Sequence, residues 1–252
     1  MAEDQTENQA EGAEGRKAEV VSLSGSPIYR YDAAPEWEPV QGEICLEQIS
    51  EHIEAHLGPI GSVFHELASD LVHIDVHFLP ASENQPYVRL VTSGMSDLAM
   101  AVPEGSDAPR YLELIATLPA DWRLDQESMK DERWYWPVRL LKMLARFPHK
   151  HRTWLGWGHT VANGDPPEPY ADGTRLDTAI LLPSVSVPDG FHRLRIDDDK
   201  EIQFLAVVPM YPEEREFKLR KGTDGLLDKF ADLDDIIDPT RRNVAKKRFG
   251  LF

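Results

Sequence analysis

His73, Asp75 and His77 alternate along an otherwise apolar run, and His65, Glu66 and Asp70 sit just upstream. Imidazole and carboxylate are the side chains that bind zinc, iron or manganese, so the constellation raises a metal-dependent hydrolase as one reading. Geometry limits it. Side chains two apart on a strand are separated by about 6.6 Å and the outer pair by about 13 Å, whereas ligands of one ion converge to about 2.1 Å. An adjacent pair at most shares an ion, and its remaining ligands must come from elsewhere. The simpler reading is a polar strand face on which imidazoles and carboxylates hydrogen-bond one another, holding no metal.

Ser93, Gly94, Met95, Ser96 and Asp97 place a serine in a tight turn after a strand. A nucleophile elbow needs a glycine two positions beyond its serine, and position 98 is Leu98. Serine and aspartate there are better explained by hydrogen bonds to the local backbone. His159, between Gly158 and Thr160, has no identifiable partner that would make it a base. The sequence contains no P-loop, dinucleotide fingerprint, CxxC pair or HExxH helix. No catalytic residues and no cofactor are expected. The candidate partner-binding residues are His65, Glu66, Asp70, His73, Asp75, His77, Ser93, Gly94, Met95, Ser96, Asp97, Trp157 and His159.

These residues need a scaffold. Val72, Ile74, Val76 and Phe78 alternate with the polar set, which predicts a strand over 71–79 with one face in the core. Further strands are expected at Tyr87–Thr92 and Tyr111–Leu118, antiparallel because the connections are too short for crossover helices, and at Thr178–Leu182 and Glu201–Val208. Leu46, Ile49, Ile53 and Leu57 predict a helix stopped by Gly58 and Pro59. Four of the six tryptophans, Trp134, Trp136, Trp154 and Trp157, fall within 131–164. There, a helix is expected from Pro137 to Pro148, burying Leu140, Leu141, Leu144 and Phe147 and exposing Lys142 on the other side; a bulged strand should follow over Thr153–Val161. Asn163–Gly173 reads as an irregular loop. Pro212 opens a helix that stops at Gly222, and a second begins at Thr223.

A hydrophobic fraction of 41% over 252 residues supports a real core. The net charge of −17 excludes a surface built for nucleic-acid phosphate, which needs a contiguous basic face. One cysteine, Cys45, cannot form an intrachain disulfide and fits a reducing, cytoplasmic setting. No run is long and apolar enough for a membrane helix, and no signal segment opens the chain. Residues 1–30 form an acidic tail with little to bury, expected to be disordered.

Several blocks resemble the suppressor of fused family in its shorter, bacterial-type form. They are VFHELASDLVHIDVHFLP at Val63 to Pro80, LVTSGMSDLAM at Leu90 to Met100, YLELIATLPADW at Tyr111 to Trp122, YWPVRLLKMLARFPH at Tyr135 to His149, TWLGWGHTVANGDPPEPYA at Thr153 to Ala171, and the closing NVAKKRFGLF. The resemblance implies a mixed α+β fold over residues 31–252, a single domain with a largely antiparallel sheet flanked by helices, ending in the basic segment 241–252. It also implies a non-enzymatic protein-binding role. The animal members look like adaptors that hold Gli-type transcription factors, a partner not carried over to bacteria. Bacterial relatives suggest an immunity protein that sequesters or neutralises a polymorphic toxin, here a basic toxin domain, with no nucleic acid, membrane or small-molecule substrate. Nothing after Phe252 corresponds to the animal proteins' additional C-terminal portion, so the resemblance does not carry over a binding cleft between two domains.

Overall fold

The computed structural model describes residues 20–31, 42, 44–65, 72–83, 85–230 and 234–246. In chain order the elements are β1 (Val20–Val21), β2 (Pro27–Ile28), α1 (Leu46–Leu57), β3 (Ser62–Phe64), β4 (Asp75–Leu79), β5 (Tyr87–Ser93), β6 (Tyr111–Pro119), α2 (Glu132–Lys150), β7 (Thr160–Ala162), β8 (Thr178–Leu182), β9 (Arg193–Arg195), β10 (Glu201–Met210) and α3 (Pro212–Phe230). The main sheet runs β3-β4-β5-β6-β10-β8-β7, with β9 pairing beside β10. Every described ladder in it is antiparallel except β6 with β10. That exception follows from connectivity, since α2 lies between those strands and supplies the crossover a parallel pair requires.

The sheet is buried on both faces. On one, Val76, Phe78, Leu90, Leu112 and Leu114 pack under α2, whose Trp136, Leu140, Leu141 and Leu144 are at most 1% exposed. On the other, Leu79, Val91, Ile115, Ile202 and Phe204 pack against Ile49 and Ile53 of α1 and Leu226 and Phe230 of α3. The mixed α+β class, the antiparallel β4–β5–β6 arrangement and α1 agree with the sequence reading. The single-sided core expected for β4 does not. Asp75 and His77 are 5% and 1% exposed, because α1 and α3 close over a face that alternation alone assigns to solvent.

The tryptophan region also departs from expectation. Helix α2 begins at Glu132, five residues before Pro137. Asp131 accepts a hydrogen bond from the Arg133 amide at 2.9 Å and is the N-cap. Pro137 and Pro148 both lie inside the helix, each removing one backbone donor, to the carbonyls of Arg133 and Leu144. Lys142 is buried rather than exposed, with its ammonium 4.2 Å from the centroid of the Phe64 ring. Trp136 stacks on Tyr170 at 5.1 Å. The expected strand over Thr153–Val161 is a loop leading into β7, and Trp157 is 51% exposed.

Helix α3 starts at Pro212 and breaks at Gly222, whose φ of 79° favours glycine. Ser24 docks beside the break, its amide donating to Leu219 O at 3.0 Å and its hydroxyl to Lys218 O at 3.4 Å. Residues 20–30, assigned to the disordered tail by composition, include a short hairpin of β1 and β2 docked at this break. Tyr31 fixes the far end, with its hydroxyl 3.1 Å from Thr153 Oγ1 and its ring against Phe147. Residues 1–19 lie outside the described residues.

The basic C-terminal segment is partly spoken for. Arg241 pairs with the fully buried Glu214 at 2.6 Å and donates to Pro209 O at 2.8 Å. Residues 247–252 lie outside the described residues. In denaturant unfolding, Leu144→Ala should cost about 2–5 kcal/mol through a cavity. Arg241→Ala should cost about 3–5 kcal/mol by stranding a buried carboxylate. Exposed Lys150→Ala should stay within about 0.5 kcal/mol.

Candidate protein-binding site

The β4–β5 register sets Asp75 opposite Ser93 and His77 opposite Val91. Asp75 is the centre of the surface. His65 Nδ1 lies 2.9 Å from its Oδ2, and His73 Nε2 lies 3.4 Å from its Oδ1. The carboxylate is buried while the two imidazole side chains are 62% and 50% exposed. The result is a pair of solvent-facing rings oriented by one buried acid. His77 turns away from this group: its Nε2 is 2.9 Å from Ser93 Oγ. Burial lowers its pKa to about 4, against a smaller raising effect from Asp75, so the ring is neutral at physiological pH.

Below this rim lies a cluster organised by Glu113, a residue the sequence reading passed over. It is 0% exposed. Its Oε1 accepts from the Ser96 amide at 2.9 Å and the Ser96 hydroxyl at 2.6 Å; its Oε2 accepts from the Thr92 hydroxyl at 2.6 Å. Thr92 Oγ1 in turn accepts from the Leu114 amide at 2.8 Å. Burial pushes the Glu113 carboxyl up to about 7 despite these donors. One available signal was the acid interrupting the apolar YLELIATL run.

The turn Met95–Asp97 is one 3-10 turn entered through Gly94 at φ 101°. Gly94 has no room for a side chain, since a Cβ would come within 1.9 Å of His73 O. His149 Nε2 of α2 reaches Met95 O at 2.8 Å, and Asp97 Oδ1 accepts from the Cys45 amide at 3.4 Å. Burial raises the Asp97 pKa, opposed by that amide and by Lys200 and His73.

The structure therefore joins His65, His73, Asp75, His77, Ser93, Gly94, Met95, Ser96 and Asp97 into one continuous region. It does not bring Trp157 and His159 there, because they lead into β7 at the opposite edge of the sheet from β3 and β4. His159 packs against Trp154, ring centroids 4.2 Å apart, and burial lowers its pKa, with the Lys218 charge adding to the effect. Glu66 and Asp70 lie outside the described residues.

The groups of this region are largely committed to one another. Ser96 is fully buried and its proton is committed to Glu113, so it cannot meet a substrate carbonyl. Ser93 and His77 share a hydrogen bond, but Asp75 is engaged by His65 and His73, and Nδ1 of His77 is without a partner. That is not the orientation of a triad, in which the acid fixes the base. Among the described residues no three histidine, cysteine, aspartate or glutamate side chains are grouped to hold a metal. Among the same residues, no helix is long and apolar enough to cross a membrane.

The chain folds as a helix-flanked α+β domain in which two exposed histidines are anchored on buried Asp75. Its sequence matches the family model of Suppressor of fused protein (SUFU) over residues 70–242, and the chain belongs to that family. Among solved structures it is similar to a SUFU homologue from Neisseria gonorrhoeae FA 1090, with a TM-score of 0.58 and 16% identity, covering 80% of this chain and 97% of that one. It is also similar to a chain of the Sufu–Fu complex, with a TM-score of 0.56 and 15% identity, covering 81% of this chain and 93% of the other. No curated protein sequence matches the chain significantly.

The buried carboxyl gives a signed prediction. With its pKa raised in the folded state from 4.5 to about 7, Glu113 contributes stability as the neutral acid below about pH 4.5, and that contribution is lost as pH rises through about 7. His77 acts oppositely, its contribution being present above 6.5 and lost as pH falls through about 4. Between about pH 5.5 and 8, wild type should lose about 1–3 kcal/mol relative to Glu113→Gln in urea unfolding. Parallel stability profiles for the two proteins would contradict this.

Proposed function

We propose that this protein is a non-enzymatic binding module that sequesters or neutralises a partner protein by stoichiometric contact, acting in the cytoplasm as an immunity protein against a basic toxin domain. The observation that carries the binding role is the exposed His65–His73 pair held on buried Asp75, over an interior whose serine and carboxylate are already committed to one another. Family membership supports it, as does the protein partner named in the Sufu–Fu complex. The net charge of −17 supports a basic partner, because complementary fields accelerate encounter. A binder needs only about 800 Å² of surface and no reactive group, which agrees with the absence of a catalytic motif from the sequence.

With a purified partner recovered by affinity capture, titration calorimetry should give one site per chain and an association rate that falls steeply with ionic strength. His65→Ala and His73→Ala should weaken binding by about tenfold or more while leaving the melting temperature nearly unchanged. Asp75→Ala should weaken binding and also lower the melting temperature, because it removes the acid to which both rings are anchored. Unaltered affinity in both histidine variants would move the interface elsewhere. Turnover of an ester, phosphate or glycoside by pure protein, lost on Ser93→Ala, would replace the binding reading with an enzymatic one.

A further inference from the structure

The contacts of Glu113 admit two complete hydrogen-bonding states. As a carboxylate it accepts from Ser96 twice and from Thr92 once. As the neutral acid it keeps Ser96 on Oε1 and donates from Oε2 to Thr92 Oγ1, while the Thr92 proton swings to Leu114 O, already 3.5 Å away. Neither state strands a buried donor. They differ in how strongly the turn is held, since bonds to an ionised acceptor are roughly twice as strong as neutral ones.

The turn is also mechanically connected to the surface. Gly94 lies against the His73 carbonyl with no spare volume, and His73 reaches Asp75 through its ring. We propose that Glu113 and the Gly94–Asp97 turn form a proton-operated latch that sets how firmly the His73–Asp75–His65 rim is held, making the binding surface responsive to one buried proton. The latch regulates the surface assigned above to binding and rests on that reading.

The titratable surroundings fit this role. Asp97, on the turn itself, opposes ionisation of Glu113, and Asp97 feels Lys200, His73 and Asp75 in its turn. From α2, His149 holds Met95 O; from the start of α1, the Cys45 amide holds Asp97. On β10 the residue in register with Glu113 is Phe204, which carries no charge. Burial, with a smaller contribution from Asp97 and against the Ser96 and Thr92 donors, pushes the Glu113 carboxyl up to about 7.

The test follows backbone amide resonances of the full-length, isotope-labelled chain from about pH 5.5 to 8.5. The Ser96, Gly94 and Ile74 amides should inflect together near neutrality in wild type. Measured in a His65→Gln, His73→Gln background so that no rim imidazole can move these amides, all three inflections should vanish on Glu113→Gln, which imitates the neutral acid. Absence of the wild-type inflection, or its survival in Glu113→Gln, would overturn the latch. So would an inflection at Ser96 that leaves Gly94 and Ile74 unmoved. Should Glu113→Gln fail to fold, Ser96→Ala supplies a second reading: losing one donor to the charged form must move the inflection to higher pH, and an unmoved inflection refutes the proposal. No partner is present in these titrations, so a null result removes the latch and leaves the binding surface to its own test.

Discussion

Burial of both faces of the sheet is the constraint on which the rest of this structure depends. Once α1 and α3 close over the side carrying Asp75, His77, Ser93 and Glu113, each polar group there must find a partner inside the protein or lose several kcal/mol. Glu113 meets that demand with three donors from Thr92 and Ser96, and so ties the end of β5 to β6. The same bonds hold the Gly94–Asp97 turn, which α1 reaches through the Cys45 amide and α2 through His149. One carboxylate thus lies where both helical layers and three strands meet. The exposed histidines are held by buried Asp75 beneath them as well as by their own strand.

The remaining described termini obey the same logic at different places. At the Gly222 break of α3, the Ser24 turn donates to the carbonyls of Lys218 and Leu219. Glu214, fully buried in the first turn of α3, is neutralised by Arg241 and accepts from the Tyr211 and Val244 amides. In each case a segment far away in sequence supplies a donor. Removing one partner would cost more than the contact contributes, because the other would remain buried and unpaired.

The sequence is most legible where structure is set locally. The alternation at 72–78, the apolar spacing of α1 and the Pro212 and Gly222 boundaries each arise from neighbours within a few residues. Contacts between distant segments could not be read this way. Alternation identifies one buried face of β4 but cannot reveal that α1 and α3 cover the other. Lys142 falls on the polar side by spacing, yet Phe64 from β3 lies under its ammonium. Pro137 competes with Asp131 as a helix start, and the side-chain cap prevails. Composition treats residues 20–30 as unable to bury surface, but Ser24 ties them to α3 by hydrogen bonds to Leu219 O and Lys218 O. Among the candidate site residues the His and Asp column is legible from its alternation. Glu113 shows only as an acid interrupting an apolar run, which does not reveal the Thr92 and Ser96 partners that the fold brings to it. Trp157 and His159 are separated from the column by strand order, which spacing does not encode.

Hydrogen–deuterium exchange on the chain with and without its purified partner bears most directly on the binding account. Added protection should concentrate in the segments carrying Ser62–His65 and His73–Leu79, with the Gly94–Asp97 turn slowed as well. Protection confined to the β7 edge around Trp157 and His159, with the His65–Asp75–His73 rim unchanged, would contradict it.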